Sequence, residues 1–176
     1  MATNRKLGRT TDIRMAMLKT LTTDLIMHGK IETTLPRAKE VKSIADSLIS
    51  LAIKEKDNFE TVDVKVVKAK LDAKGNKETE LVKSKNGKEY LRVVKEETTE
   101  KRQKDMPSRL NARRKIMNKT NKVKDDKGKN IDIPAKLFGE IAEKYSKNGN
   151  VGGYTRIVRL GQRRGDSAEI AVLELI

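Results

Sequence analysis

Apolar and polar positions alternate along this chain in patterns that divide it into helical and extended stretches. Within residues 12–28, Ile13, Met17, Leu21 and Leu25 recur every four residues with Leu18 beside them, which is one apolar stripe of a helix. Thr11 or Asp12 is placed to cap its start, and Gly29 stands where a C-terminal cap belongs. Lys30–Thr34 (KIETT) is short and β-branched, so it reads as a strand. Pro36 then opens a second helix, because a proline ring is already set for the first helical turn. Val41, Ile44, Ala45, Leu48, Leu51 and Ala52 form its expected buried face.

From residue 57 to 106 the period changes. The run TVDVKVVKAKL alternates every second residue, as a strand does. Residues 72–76 and the pair Asn86 and Gly87 are turn signals, and residues 88–95 supply another strand. The expectation is a three-stranded antiparallel meander, too small to bury much core alone. After it, Ser108 is placed to cap a short basic helix running through Asn118, and the polar residues 119–130 read as a loop. Pro134 opens a further helix with Leu137, Phe138, Ile141, Ala142 and Tyr145 on its apolar side, ended by NGNVGG at 148–153. Two strands, 154–160 and 168–175, close the chain around a turn containing Gly161 and Gly165. The pattern predicts an α+β fold, a two-layer domain with helices packed on a small, mostly antiparallel sheet. Residues 1–56 and 107–176 form that domain, with 1–10 as a basic arm, and 57–106 are an inserted β-meander.

Charge sharpens this outline. The 176 residues carry 40 Lys and Arg against 25 Asp and Glu, a formal +15, far above what solubility needs. The excess is localised: residues 107–130 hold nine bases and two acids, while 57–106 hold thirteen and eleven. Basic residues also open the chain, and Arg156, Arg159, Arg163 and Arg164 lie within 153–165 with no acid among them. A polybasic stretch suits either a nucleic acid or an anionic membrane, but no amphipathic Lys-rich helix with Trp or Phe supports the membrane. No apolar run exceeds four residues, and Arg14, Lys19 and Asp24 interrupt the stretch after the basic N-terminus, so neither a membrane span nor a signal peptide is expected. The absence of cysteine excludes disulfides, thiolate zinc sites and thiol catalysis, and suits a reducing, cytoplasmic location.

Catalytic chemistry finds little to work with. His28 is the single histidine, so no histidine cluster can hold a metal; no cofactor and no small-molecule substrate are expected. The acids lie on polar helix faces or among lysines, without apolar surroundings to shift them toward acid–base work. No Ser or Thr stands at a spacing from Lys or His that suggests activation. Five aromatics are too few for the stacking platforms of single-strand binders. What remains is a rigid body whose arginine forks and lysines address the phosphates of structured RNA. A general RNA- or DNA-coating protein shares this charge but binds many sequences alike. A nucleic-acid-modifying enzyme lacks its site chemistry here.

Four blocks carry a family resemblance: RKLGR at 5–9, IETTLPRAKEVKSIADSLISLA at 31–52, NARRKI at 111–116, and AKLFGEIAEKY with GGYTRIVRLGQRRGDSAEIAVLEL at the end. With these the sequence resembles the family of the seventeenth protein of the bacterial large ribosomal subunit. It departs from the shorter members by the segment 57–106. It departs again at residues 11–14 (TDIR), where the family often has serine and histidine before the arginine. The resemblance implies a two-layer α+β sandwich and a non-catalytic structural part of a ribonucleoprotein of translation. It further implies binding to large-subunit ribosomal RNA near the polypeptide exit tunnel, beside other large-subunit proteins. The residues expected to touch RNA are Arg5, Lys6, Arg9 and Arg14 from the arm and first helix. Thr33, Thr34 and Arg37 join them at the start of the second helix, whose open N–H groups favour phosphate. Arg109, Arg113, Arg114 and Lys115 follow on the basic helix. Gly152 and Gly153 (by close approach), Arg156, Arg163 and Arg164 complete the set, with Tyr154 placed either to stack on a base or to pack on the sheet. The near-balanced 57–106 segment is expected to face solvent or a neighbouring protein.

Overall fold

A computed structural model describes residues 5–125, 127–149 and 152–176. The chain divides into two compact units, one made of Met1–Asn58 with Asp105–Ile176 and the other of Phe59–Lys104.

The first unit, the body, is a helical layer on a three-stranded antiparallel sheet. Helix α1 (Thr11–His28) ends at Gly29, whose φ of 78° only glycine adopts without strain and whose N–H closes on Leu25 O at 2.8 Å. Strand β1 (Lys30–Thr34) leads into α2 (Leu35–Glu55), where Pro36 occupies the first turn. In chain order the body continues with α3 (Pro107–Lys119) and then, after a short hairpin, with α4 (Ile133–Lys136). A π-helical turn (Leu137–Ile141) and α5 (Ala142–Lys147) come next, and the final strands are Thr155–Gln162 and Glu169–Leu175. The last strand lies in the middle of the sheet, antiparallel to both neighbours, with Leu173 opposite Ile31 on one side and Ile157 on the other.

Two apolar clusters hold the layers together. Leu18, Leu25, Leu35, Ala38, Val41 and Ala45 seat α1 and α2 on Ala171 and Leu173 of the sheet. Ile49, Ala52, Ile116, Leu137, Phe138, Ala142 and Tyr145 join α2 to α3 and the last helical segments. Ile44 and Leu175 pack against both clusters, so the core is continuous. The stripe expected on α1 is too narrow. Ile13 is exposed, whereas Thr22, Thr23 and Ile26 are buried. Elements pack on α1 from more than one side, and Thr22 and Thr23 satisfy their hydroxyls on the carbonyls of Leu18 and Lys19. Ser108 does not cap α3. Its hydroxyl donates to the Glu55 carboxylate at 2.8 Å instead, and Asn58 donates to both. The expected loop at 119–130 carries a short hairpin that pairs Val123–Lys124 with Asn130–Ile131.

The second unit differs from a meander. Its outer strands, β2 (Phe59–Ala69) and β5 (Lys95–Asp105, whose last residue belongs to the body), pair with each other. Between them β3 (Thr79–Lys83) and β4 (Glu89–Val93) form a separate hairpin. A tight turn over residues 72–76 makes a third arm, closed by Leu71 bridging to Lys77. The three arms meet in a ring of main-chain hydrogen bonds. Lys70 N–H donates to Val94, Val94 to Glu78, and Glu78 back to Lys70, each at 2.9 Å. With the short hairpin of the body numbered β6 (Val123–Lys124) and β7 (Asn130–Ile131), the final strands are β8 (Thr155–Gln162) and β9 (Glu169–Leu175).

Candidate nucleic-acid interface

The basic residues divide by what they touch. On α3, Ala112 and Ile116 face the core, and a helix returns to that face at positions 109 and 113. Arg109 is accordingly 7% exposed, lies 3.1 Å from Asp105, and has its guanidinium 4.8 Å from the centre of the Phe138 ring. Arg113 reaches Asp105 at 2.6 Å and Asp132 at 3.2 Å, also over Phe138. These two arginines staple α3 to its neighbours through ion pairs and cation–π contacts. Arg114 and Lys115, one step round the helix, are exposed and make no ion pair among the described residues.

Tyr154 is likewise turned inward. It is 5% exposed, packs edge-on against Tyr145 at 5.1 Å, and its carbonyl accepts the Tyr145 hydroxyl at 2.9 Å. Of the alternatives open for it, packing is the one the structure adopts. Beside it, Gly152 and Gly153 have φ of 151° and 66°, and a Cβ on either would meet no protein atom within 4 Å. The backbone there is both restricted to glycine and open to approach.

At the C-terminal hairpin, Arg156 pairs across the strands with Glu174 at 2.5 Å, and Arg163 grips Asp166 through two nitrogens at 2.9 and 2.6 Å. The Arg163 hydrogen bonds hold the Asp166 carboxyl down at about 2. Arg163 therefore shapes its turn as well as presenting charge, while Arg159 and Arg164 are exposed without an ion pair among the described residues.

The N-terminal segment is folded back from residue 5 onward; residues 1–4 of the basic arm lie outside the described residues. Leu7 and Gly8 take left-handed φ of 53° and 63°, and Leu7 packs against the α1–α2–sheet cluster. Lys6 and Arg9 are exposed around that anchor, and Arg5 lies 3.8 Å from Glu40. Arg14 gathers with Arg5, and with Lys19 and Lys119, around a hollow between α1 and α2. Sequence reasoning missed these two lysines. Lys19 follows Met15 by one turn and was legible in the spacing, whereas Lys119 arrives from α3 across a hundred residues.

At the start of α2, Thr33 and Thr34 are half-buried, Thr34 makes no side-chain capping bond, and the first turn carries no acid. Its end N–H groups and the half-buried Arg37 thus keep the positive pole that favours an anion.

No group of three or more His, Cys, Asp or Glu able to hold a metal occurs among the described residues, and His28 is exposed at the end of α1. Among the described residues no helix is long and apolar enough to cross a membrane. The arrangement holds charge in fixed places, part of it tied up in ion pairs such as Arg163 with Asp166 and part of it exposed.

A sequence model of the family described as Ribosomal protein L17 matches residues 17–176. A relative from Acetivibrio thermocellus is 54% identical over 176 residues, covering 100% of both chains, and one from Ruminiclostridium cellulolyticum is 56% identical over 172 residues, covering 98% of each. A third, from Lachnospira eligens, is 48% identical over the full length of both. All three are called large ribosomal subunit protein bL17. The first match spans both chains from end to end, so that relative has a counterpart of Phe59–Lys104.

Proposed function

The chain belongs to the ribosomal protein L17 family, a structural and non-enzymatic part of the large ribosomal subunit, and from that premise we propose that its body grips large-subunit ribosomal RNA near the exit tunnel through spaced clusters of arginine and lysine. As a component of the bacterial ribosome it works in the cytoplasm, with ribosomal RNA and ribosomal proteins as its partners. The observation that carries the reading is the division of charge. The body holds 27 bases against 16 acids, and the Phe59–Lys104 unit 13 against 9.

In this reading the cations that are exposed, together with the half-buried Arg14 and Arg37, do the binding. Lys6, Arg9, Arg14, Arg37, Arg114, Lys115 and Arg164 address phosphates, and the bare backbone at Gly152 and Gly153 allows close approach. Arg156 and Arg163 contribute from the hairpin while holding its shape. Arg109 and Tyr154 serve binding indirectly, by fixing α3 and the start of β8. Residues 57–106 are an extension outside this interface, directed at solvent or at a neighbouring protein.

The test is binding to purified large-subunit ribosomal RNA and to an unrelated structured RNA across a salt series. Each neutralised phosphate adds ~0.7–0.9 to the log–log slope. Retention of tight binding at high salt by the ribosomal RNA alone supports the reading. Coincident curves for the two RNAs refute it. Replacing Arg114 and Lys115 with Ala lowers the slope, whereas Arg109→Ala lowers the melting temperature first.

A further inference from the structure

The hollow between α1 and α2 has more structure than a charged surface needs. Its floor is apolar, made by Met15, Leu18 and Ile44, and its rim carries Arg5, Arg14, Lys19 and Lys119. One carboxylate, Glu40, stands among four cations, and Arg5 already faces it at 3.8 Å. Lys19 and Lys119 make no ion pair among the described residues. The hollow has a volume of about 120 Å³ and opens to solvent on one side, so a flat ring can enter it from outside.

We propose that this hollow seats a single unstacked nucleotide of the bound RNA, its base on Met15, Leu18 and Ile44 and its flanking phosphates on the lysine and arginine rim. The proposal rests on the RNA-binding reading and names one site within it. A bare phosphate gains nothing from an apolar floor, and a duplex cannot deliver a base into a concavity. The combination suits a loop or bulge residue splayed out of its stack, the form in which proteins commonly read RNA. Met15 adds a polarizable thioether on a flexible chain, which makes favourable contacts with aromatic rings. The site is built from four separate segments: the arm at Arg5, one face of α1, α2 at Glu40, Ser43 and Ile44, and the last residue of α3. It therefore exists only when the body is folded.

Ser43, exposed on the lip, provides the test. Ser43→Trp fills the hollow and changes no charge. Binding to large-subunit ribosomal RNA is measured for the full chain across salt, with chemical probing of base reactivity in the complex. The expected result is binding weakened on the order of tenfold at every salt concentration, comparable to what one seated base contributes, with an unchanged log–log slope. One base protected by the wild-type protein becomes reactive again while the rest of the footprint persists. The double variant Lys19→Ala, Lys119→Ala keeps the hollow and lowers the slope instead. A Ser43→Trp variant that folds, binds within about twofold of wild type and protects the same bases overturns the proposal and leaves the RNA-binding reading standing. Failure of the wild-type protein to prefer the ribosomal RNA overturns both.

Discussion

Where the helices of the body bury Ile49, Ile116, Leu137 and Leu173 completely, the β3–β4 hairpin leaves Leu81 and Leu91 facing each other across the ladder at 72% and 66% exposure. No side chain of residues 59–104 is fully buried. That unit is ordered by main-chain pairing, with surface ion pairs such as Lys70–Glu78, Lys83–Glu89 and Lys104–Glu60 laid over it. Exposed pairs of this kind each contribute ~0–1 kcal/mol. The same chain thus uses two ways of fixing shape. Side-chain packing makes a surface stiff enough to hold cations in register, and backbone ladders make an extension whose side chains bear little of the load.

The contrast predicts unequal responses to substitution. Ile116→Ala opens a cavity where α3 meets α2 and should cost about 4 kcal/mol in chemical denaturation. Asp105→Asn removes the carboxylate that neutralises Arg109 and Arg113; it should cost about 3 kcal/mol, again without touching an exposed cation. A midpoint unchanged by either variant would mean that the body is not held by its core. In the other unit, Leu81→Thr with Leu91→Thr should stay within about 0.5 kcal/mol of wild type, since both side chains are solvated already. A larger loss would show that this apolar pair packs on something.

The smallest effect concerns the hairpin turn at Arg163. Asp166 should titrate at about 2 by NMR, below its ordinary 3.8, and Arg163→Ala should return it toward that value. A folded-state value below the unfolded one means the pair supports the fold above pH 3.8 and stops doing so as pH falls through about 2. Because both groups are exposed, Arg163→Ala should lower the melting temperature at neutral pH only slightly.

Much of the body was legible in the sequence because its elements announce themselves locally. The four-residue spacing of α1, the β-branched run of β1, Pro36, and the glycine at position 29 each act over a turn or less. The pairing of the inserted strands was not. The segment Lys95–Asp105 (KEETTEKRQKD) holds no apolar residue and shows no alternation, and it is a strand because β2 lies across from it. Partner choice among strands is a long-range property, and the turn signals at 72–76 and 86–87 fit a meander as well as nested hairpins. The cations were legible as clusters, and their facing was not. Arg109 and Arg113 share the helical stripe of Ala112 and Ile116, a spacing that outweighs their charge once Asp105 and Phe138 are in reach. The convergence of Lys19 with Lys119 depends on tertiary packing and leaves no local mark.

The ring joining Lys70, Glu78 and Val94 has a bearing on how this extension changes over evolutionary time. Each of its bonds is made by amide and carbonyl alone, so the branch point imposes no side-chain identity beyond the exclusion of proline, which lacks the donor. Mutations can accumulate along all three arms without dissolving the fork from which they spring. A lineage is therefore free to retune what the arms present, changing charge, length or tip, while inheriting the same branched scaffold. Sequence drift in this segment should run ahead of any change in its architecture.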